Sequence, residues 1–237
     1  ILYIVNKIIM MMIPEKLELP DGIIYLNKKD AVISGALMFG VYENNEINSW
    51  RNKIKDSSVV LDIGGNIGIY TLTASAKAKK GRVICFEPEQ DNISLLKKSI
   101  KENNMSNITL VEKCVGDVSG SAVLGISKYN KGKHSLLQSE IGENIQNVQI
   151  TTIDEEVEKL GLGKVDYIKI DVEGWEAKVL KGMEKTINQF HPEILFEFAP
   201  QRIKESGMDP VEFIVDIKNK GYVFHNAESS DNKEYSI

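Results

Sequence analysis

From Val59 onward the chain alternates short apolar runs with longer amphipathic stretches, and this alternation restricts the fold more than any other feature. Val59-Val60-Leu61 and Val83-Ile84-Cys85-Phe86 are apolar throughout, as strands buried on both faces are. Between them, Ile67 to Ala78 reads as a helix. Asp91 to Asn103 reads as a second, with Ile93, Leu96 and Ile100 on one face. The spacing predicts a third strand over Ile108 to Val115 and a less regular stretch from Gly120 to Ile153, strand-like at Ala122–Ile126 and Val148–Ile153. A short helix over Asp154 to Leu160 comes next, then a strand from Val165 to Ile170, a helix from Trp175 to Phe190 and a strand from Ile194 to Phe198. Pro210 to Lys220 reads as a helix and Tyr222 to His225 as a last strand. Alternating strands and helices imply an α/β fold, a doubly wound and mostly parallel sheet with right-handed crossovers. In such sheets a ligand sits beyond the carboxyl ends of the strands.

The segment before this pattern, 1–56, reads as a small N-terminal cap, and 57–237 as the main α/β domain. The cap contains a hairpin, Leu17–Leu19 and Ile23–Leu26 around Pro20-Asp21-Gly22, and a helix from Asn45 to Ile54. Ile1 to Ile13 is apolar but contains Asn6 and Lys7, and is shorter than the roughly 20 residues a membrane span needs. It reads as a packed N-terminus or an interfacial helix, and no small-residue cleavage site marks it as a signal peptide. The first residue is Ile rather than Met, as in a chain trimmed at its start. Cys85 and Cys114 lie in apolar stretches and form neither a disulfide framework nor a zinc pattern. They read as reduced, buried residues of a cytoplasmic protein. A formal charge of −5 and the lack of a basic stripe argue against a nucleic-acid partner.

The residues that follow each strand carry the functional signal. Asp62-Ile63-Gly64-Gly65-Asn66-Ile67-Gly68 is a glycine-rich strand-to-helix turn, which lets a ligand approach the backbone and the free N–H groups of a helix start. It has neither the G-x-G-x-x-G spacing of a dinucleotide fingerprint nor the Gly-Lys-Ser/Thr of a P-loop. Glu87-Pro88, twenty-five positions after Asp62, supplies an acidic residue of the kind that accepts hydrogen bonds from ribose hydroxyls. Taken alone, Glu87 reads as a cap of the next helix, and beside the glycine turn the nucleoside-binding reading is the better one. Gly116 and Asp117 follow the third strand, either at an adenine position or in an ordinary turn. Asp171, Glu173 and Glu176 crowd the next strand end, and Glu197 follows the one after. Asp171 and Glu173 suit a charged ligand or a proton acceptor. Glu176 suits a helix start, and Glu197 either a cap or a wall of the substrate pocket.

Together these residues resemble the FkbM family of class I methyltransferases. The match runs through Asp62 to Tyr70, Phe86-Glu87-Pro88, Ile168-Lys169-Ile170-Asp171-Val172-Glu173-Gly174-Trp175-Glu176 and Val179-Leu180-Lys181-Gly182. Upstream, Gly40-Val41-Tyr42-Glu43 is similar to the family's entry segment. Gly65 departs from the pattern, where Ala is more usual. The resemblance implies a seven-stranded Rossmann-like sheet with an antiparallel last strand, and S-adenosyl-L-methionine as methyl donor. By that pattern Asp62, Gly64, Gly65, Asn66 and Gly68 shape the pocket for the donor's methionine portion, and Glu87 with Pro88 meets the ribose. Gly116 and Asp117 lie near adenine, Asp171 faces the methionine end or the acceptor, and Tyr42 and Glu43 close the pocket. The polar tail from Asn226 leaves the last strand hard to place.

The implied reaction is methylation of a hydroxyl on a sugar or other small-molecule or glycan acceptor, and an alcohol benefits from a general base. Candidate bases are His134, Asp171, Glu173 and Glu197, with Asp171 or His134 foremost. His134 lies in the polar stretch Lys131-Gly132-Lys133-His134-Ser135 and, with Glu197, is also a candidate for acceptor binding. His191 and His225 read as structural. No resident metal is expected, although a Mg²⁺-dependent enzyme using Asp171 and Glu173 as oxygen ligands is an alternative. A non-catalytic donor-binding protein is a second. The insertion from Gly120 to Gln149 is placed to select the acceptor.

Overall fold

The computed structural model describes residues 2–126, 136, 145–227 and 234–235. The N-terminal segment holds helix α1 (Leu2–Met12), the hairpin β1 (Lys16–Leu19) and β2 (Gly22–Tyr25), and helices α2 (Ile33–Met38) and α3 (Asn44–Lys53). The alternating region follows with β3 (Val59–Ile63), α4 (Ile69–Lys77), β4 (Arg82–Phe86), α5 (Gln90–Glu102) and β5 (Ile108–Val111). Next come β6 (Cys114–Val115), β7 (Gly120–Gly125), β8 (Ile145–Thr151), α6 (Ile153–Lys159) and β9 (Tyr167–Ile170). The chain continues through α7 (Glu176–Lys181), α8 (Glu184–Phe190), β10 (Glu193–Phe196), α9 (Pro200–Glu205), α10 (Pro210–Asn219), β11 (Phe224–His225) and β12 (Glu234–Tyr235). Among the described residues no helix is long and apolar enough to cross a membrane.

The central sheet is parallel, in the order β10-β9-β3-β4-β5. All five residues of β3 are buried, as the middle strand of a sheet covered on both faces requires. Side chains alternate between two apolar clusters. Leu61, Ile63, Ile84, Phe86, Ile168 and Ile170 pack on one face with Val179, Ile187 and Phe213 of the later helices. Val60, Val83 and Tyr167 pack on the other with α4 and the N-terminal segment, including Ile24, Ile47 and Trp50. By this alternation Cys85, Asp62 and Lys169, cross-strand neighbours in register, share the second face. Beneath them lies α4, whose Tyr70 packs edge-on against Trp50 of α3 and receives the Trp50 indole N–H on its carbonyl. The hairpin is pinned to α5 by Ser99 and Asn103, which bond the backbone of Tyr25 and Ile23.

Three expectations change. The run from Ile108 to Val115 is not one strand. It turns after Val111, whose carbonyl accepts the Lys113 N–H at 2.9 Å, and Cys114–Val115 joins a separate sheet in the order β6-β8-β7. The stretch from Trp175 to Phe190 is not one helix. It breaks at Gly182, where the chain passes so close to the Gly116 carbonyl that a Cβ would overlap it. The main sheet has five strands among the described residues rather than seven, and β11 pairs antiparallel with β12 as a ladder of its own.

Candidate active site

Register brings the strand ends into one row. Phe196 lies beside Ile170, Ile170 beside Ile63, and Ile63 beside Phe86. The next residue on each strand is therefore Glu197, Asp171, Gly64 and Glu87, all at the carboxyl edge. A cavity of about 950 Å³ opens there. Its walls include Tyr42, Glu43, Gly64, Gly65, Asn66, Glu87, Pro88, Asp171, Glu173 and Glu197, ten residues singled out in the sequence.

The glycine turn folds back on β4. The N–H groups of Gly64 and Gly65 both donate to the Phe86 carbonyl, at 2.9 and 3.0 Å. Gly64 and Gly68 have φ of +82° and +102°, which a side chain disfavours. A Cβ on Gly64 would overlap the Asp171 carbonyl, and one on Gly68 would overlap Leu96. A Cβ on Gly65 would overlap the Cys85 sulfur, so the thiol fills the volume that the more usual Ala would need. Strain and overlap act together at Gly64. Gly64→Ala is expected to cost about 3 kcal/mol or more in urea unfolding. Gly120→Ala, where a Cβ meets open space, is expected to stay within about 0.5 kcal/mol of the parent.

Glu87 is 4% exposed and holds the turn in place. Its Oε2 accepts the Asn66 N–H at 2.7 Å and its Oε1 accepts the Glu89 N–H at 2.8 Å. Burial pushes its carboxyl up to about 7, against the pull of those two bonds. Asp62 is fully buried. Its Oδ2 accepts from the Thr71 hydroxyl at 2.5 Å, while its Oδ1 has no partner among the described residues. Burial raises its pKa too, opposed by the ammonium of Lys169.

Lys169 is not among the site residues read from the sequence, yet it lies at the centre. It is 6% exposed and donates to Asp171 Oδ2 at 3.1 Å. Its Nζ also stands 4.5 Å from the centroid of the Tyr70 ring. Burial works against its charge, but Asp171, Asp62 and Glu43 outweigh that and hold the ammonium above its ordinary range. Tyr70 donates its hydroxyl to Glu43 Oε2 at 2.6 Å. The Tyr42 hydroxyl is pushed up by burial first and by Glu43 second. The N-terminal segment thus contributes to the same charge network as the strand ends.

The other carboxylates sort by partner. Glu173, at φ +53°, pairs with Arg202 of α9 at 2.5 Å. Glu176 turns back to accept the N–H groups of Val172 and Gly174, so it braces the loop. Glu197 makes no hydrogen bond or ion pair among the described residues. Its carboxyl is raised by burial and then by the neighbouring Asp171. Beside it Phe198 stacks on Phe213, and Phe196 meets Phe213 and Phe224 edge-on. Gly116 and Asp117 are not among the residues that line the cavity. Asp117 is held by Lys178 of α7 at 2.9 Å instead. His225, read as structural, lies on the cavity wall, whereas His191 bonds the Ile187 carbonyl. His134 lies outside the described residues.

These residues fit S-adenosylmethionine. The turn residues Gly64, Gly65 and Asn66 share the cavity wall with Glu87, which has a lone pair left on each oxygen, while Asp62 and Gly68 lie behind the turn and off that wall. Six carboxylates line the cavity against the two ammonium groups of Lys113 and Lys169, a field that suits a cation.

Residues 62–224 match the methyltransferase FkbM domain. Methyltransferase 1 of Beauveria bassiana is similar, 24% identical over 148 residues that cover 54% of this chain and 59% of that protein. Hexuronic acid methyltransferase AglP of Haloferax volcanii is 28% identical over 150 residues, covering 61% of this chain and 58% of that protein. The chain therefore spans a little under three fifths of the length of each of these relatives. Among solved structures, precorrin-6y C5,15-methyltransferase from Geobacter metallireducens superposes with a TM-score of 0.46 at 14% identity, over 81% of this chain and 82% of that one.

Proposed function

The chain belongs to the FkbM methyltransferase domain family, and from that premise we propose that it methylates a hydroxyl of a sugar or similar small acceptor, with S-adenosylmethionine as donor. The observation that carries this reading is one cavity with a glycine turn and a ribose-type carboxylate at one end and an unpaired carboxylate, Glu197, at the other. The name of the Haloferax volcanii relative supports a sugar as acceptor.

S-adenosylmethionine, when bound, supplies a methyl group already activated by its sulfonium. The chain's own task is then alignment and removal of one proton. Gly64, Gly65 and Asn66 shape the donor end, Glu87 accepts the ribose hydroxyls, and Asp171 faces the methionine end, with Asp62 buried behind the turn. The carboxylates compete for the role of base, and their partners decide between them. Asp171 is bonded to Lys169 and Glu173 to Arg202, so a proton arriving on either must displace a cation. Glu197 carries no such bond, and its raised carboxyl is the better proton acceptor near neutral pH. We therefore assign the proton of the acceptor hydroxyl to Glu197, with the Phe198 ring beside it as a surface for the apolar face of a sugar. The same two ion pairs disfavour the magnesium alternative, because Asp171 and Glu173 turn to protein cations rather than to one shared point.

Calorimetric titration of the whole chain tests the donor half. S-adenosylmethionine and S-adenosylhomocysteine are expected to bind and NAD is not. A hydroxyl-bearing sugar panel, read by S-adenosylhomocysteine release, tests the rest. Glu197→Gln is expected to keep donor affinity within about threefold and lose on the order of 100-fold or more in turnover. A folded chain that binds neither sulfur nucleoside overturns the reading.

A further inference from the structure

We propose that Asn92 reads the adenine edge of the bound donor, an inference that rests on the donor reading above. Asn92 is the third residue of α5 and is 1% exposed, yet it lies on the cavity wall close to Glu87 and Pro88. Neither its Oδ1 nor its Nδ2 has a hydrogen-bond partner among the described residues. Its amide is near enough to the Glu87 carboxyl to favour the charged form, but it makes no well-formed bond there. Nor is it needed to cap the helix. Glu89 does that, accepting the Asn92 backbone N–H at 2.8 Å.

A buried carboxamide with both groups unpaired is costly and uncommon, and it calls for a partner. The unpaired carboxamide has a definite chemistry, one donor and one acceptor side by side in a plane. Adenine presents the complement, an amino N–H next to a ring nitrogen, and a carboxamide pairs with that edge in a bidentate way. Asp117, which the family pattern places near adenine, is off the cavity wall and held by Lys178. On the N6/N7 edge hypoxanthine presents two acceptors, its C6 carbonyl and N7, so the Asn92 carboxamide loses one of the two bonds whichever way it is turned.

The test compares S-adenosylhomocysteine with S-inosylhomocysteine by calorimetry on the whole chain. The parent is expected to prefer the adenine form by about 10- to 100-fold. Asn92→Leu, and Asn92→Ala in case the larger side chain does not pack, are expected to bind the two within about threefold of each other. A merely structural Asn92 would weaken both ligands alike and leave the preference intact, which overturns the inference and spares the donor site. Equal binding of both ligands by the parent does the same. No binding of S-adenosylhomocysteine by the folded parent removes the donor site and this inference together.

Discussion

At pH 8, Glu87→Gln is expected to bind S-adenosylhomocysteine on the order of 100-fold more weakly than the parent, the loss of hydrogen bonds to a charged acceptor. Each Glu87 oxygen already accepts one backbone N–H and keeps a lone pair for a ribose hydroxyl. A glutamine amide can serve only one of those two N–H groups and offers no charge. The parent's own affinity is expected to depend on pH. Its Glu87 carboxyl stands at about 7, and the hydroxyls donate to the ionised form. Affinity therefore falls towards tenfold per unit as pH drops below about 7. The variant lacks that slope. Calorimetry from pH 5.5 to 8 reads both effects, and a flat parent profile would remove Glu87 from the donor site.

The same group makes the unliganded protein sensitive to pH in the opposite sense. The folded carboxyl is raised above its ordinary value of 4.5, so the folded state holds the proton more tightly than the unfolded one. Its contribution is fully present below pH 4.5 and is lost as pH rises through 7, about 3 kcal/mol in all. Urea unfolding from pH 4.5 to 8 should show the parent losing that amount relative to Glu87→Gln. Donor binding offsets the loss, since hydroxyl hydrogen bonds replace the water that the buried carboxylate lacks.

Apolar runs made the parallel strands legible, because a sheet covered on both faces tolerates little else at Val59–Leu61 or Val83–Phe86. The rule that ligands gather at strand ends then led directly to Gly64, Glu87, Asp171 and Glu197, which the register sets in one row at that edge, whereas Asp62 lies one step back inside β3. What stayed hidden depends on contacts between distant segments. At the Gly182 break the Gly116 carbonyl lies where a Cβ would be, and a glycine inside a helical pattern does not announce that contact. The turn at Glu112-Lys113 interrupts what reads as one strand.

The ion pair of Asp117 stayed hidden for the same reason. Asp117 follows a strand, but the cation that claims it lies on α7, and nothing local to Asp117 reveals the pairing. Asn92 looks like an ordinary polar residue in a first helical turn, and only burial exposes its lack of partners. Lys169 did leave a signal. A lysine inside the run Tyr167-Ile168-Lys169-Ile170 must be buried if the strand is, and a buried ammonium needs carboxylates. The three that surround it, Asp62, Asp171 and Glu43, come from three different segments of the chain.

Lys169→Met is expected to destabilise the protein by about 3–5 kcal/mol at pH 8, the cost of leaving buried charge without its partner. Asp62 has no exposure and would keep only the Thr71 hydroxyl, while Asp171 would lose its bond to the ammonium. The sign with pH follows from Asp62. Its carboxyl is already raised by burial, with Lys169 pulling it down, so removing the lysine raises it further. The deficit should therefore be largest at pH 8 and shrink as pH falls and Asp62 takes a proton. Asp62→Asn in the Lys169→Met background removes the stranded charge and keeps an oxygen for Thr71. It is expected to recover at least about 2 kcal/mol at pH 8, although Asp62→Asn alone, which leaves the lysine with one carboxylate fewer, is destabilising. Urea unfolding of the four chains at pH 8 and pH 5 measures the coupling. Additive effects at both pH values would mean that Asp62 and Lys169 do not interact, and that the site's charges are organised by Asp171 and Glu43 instead.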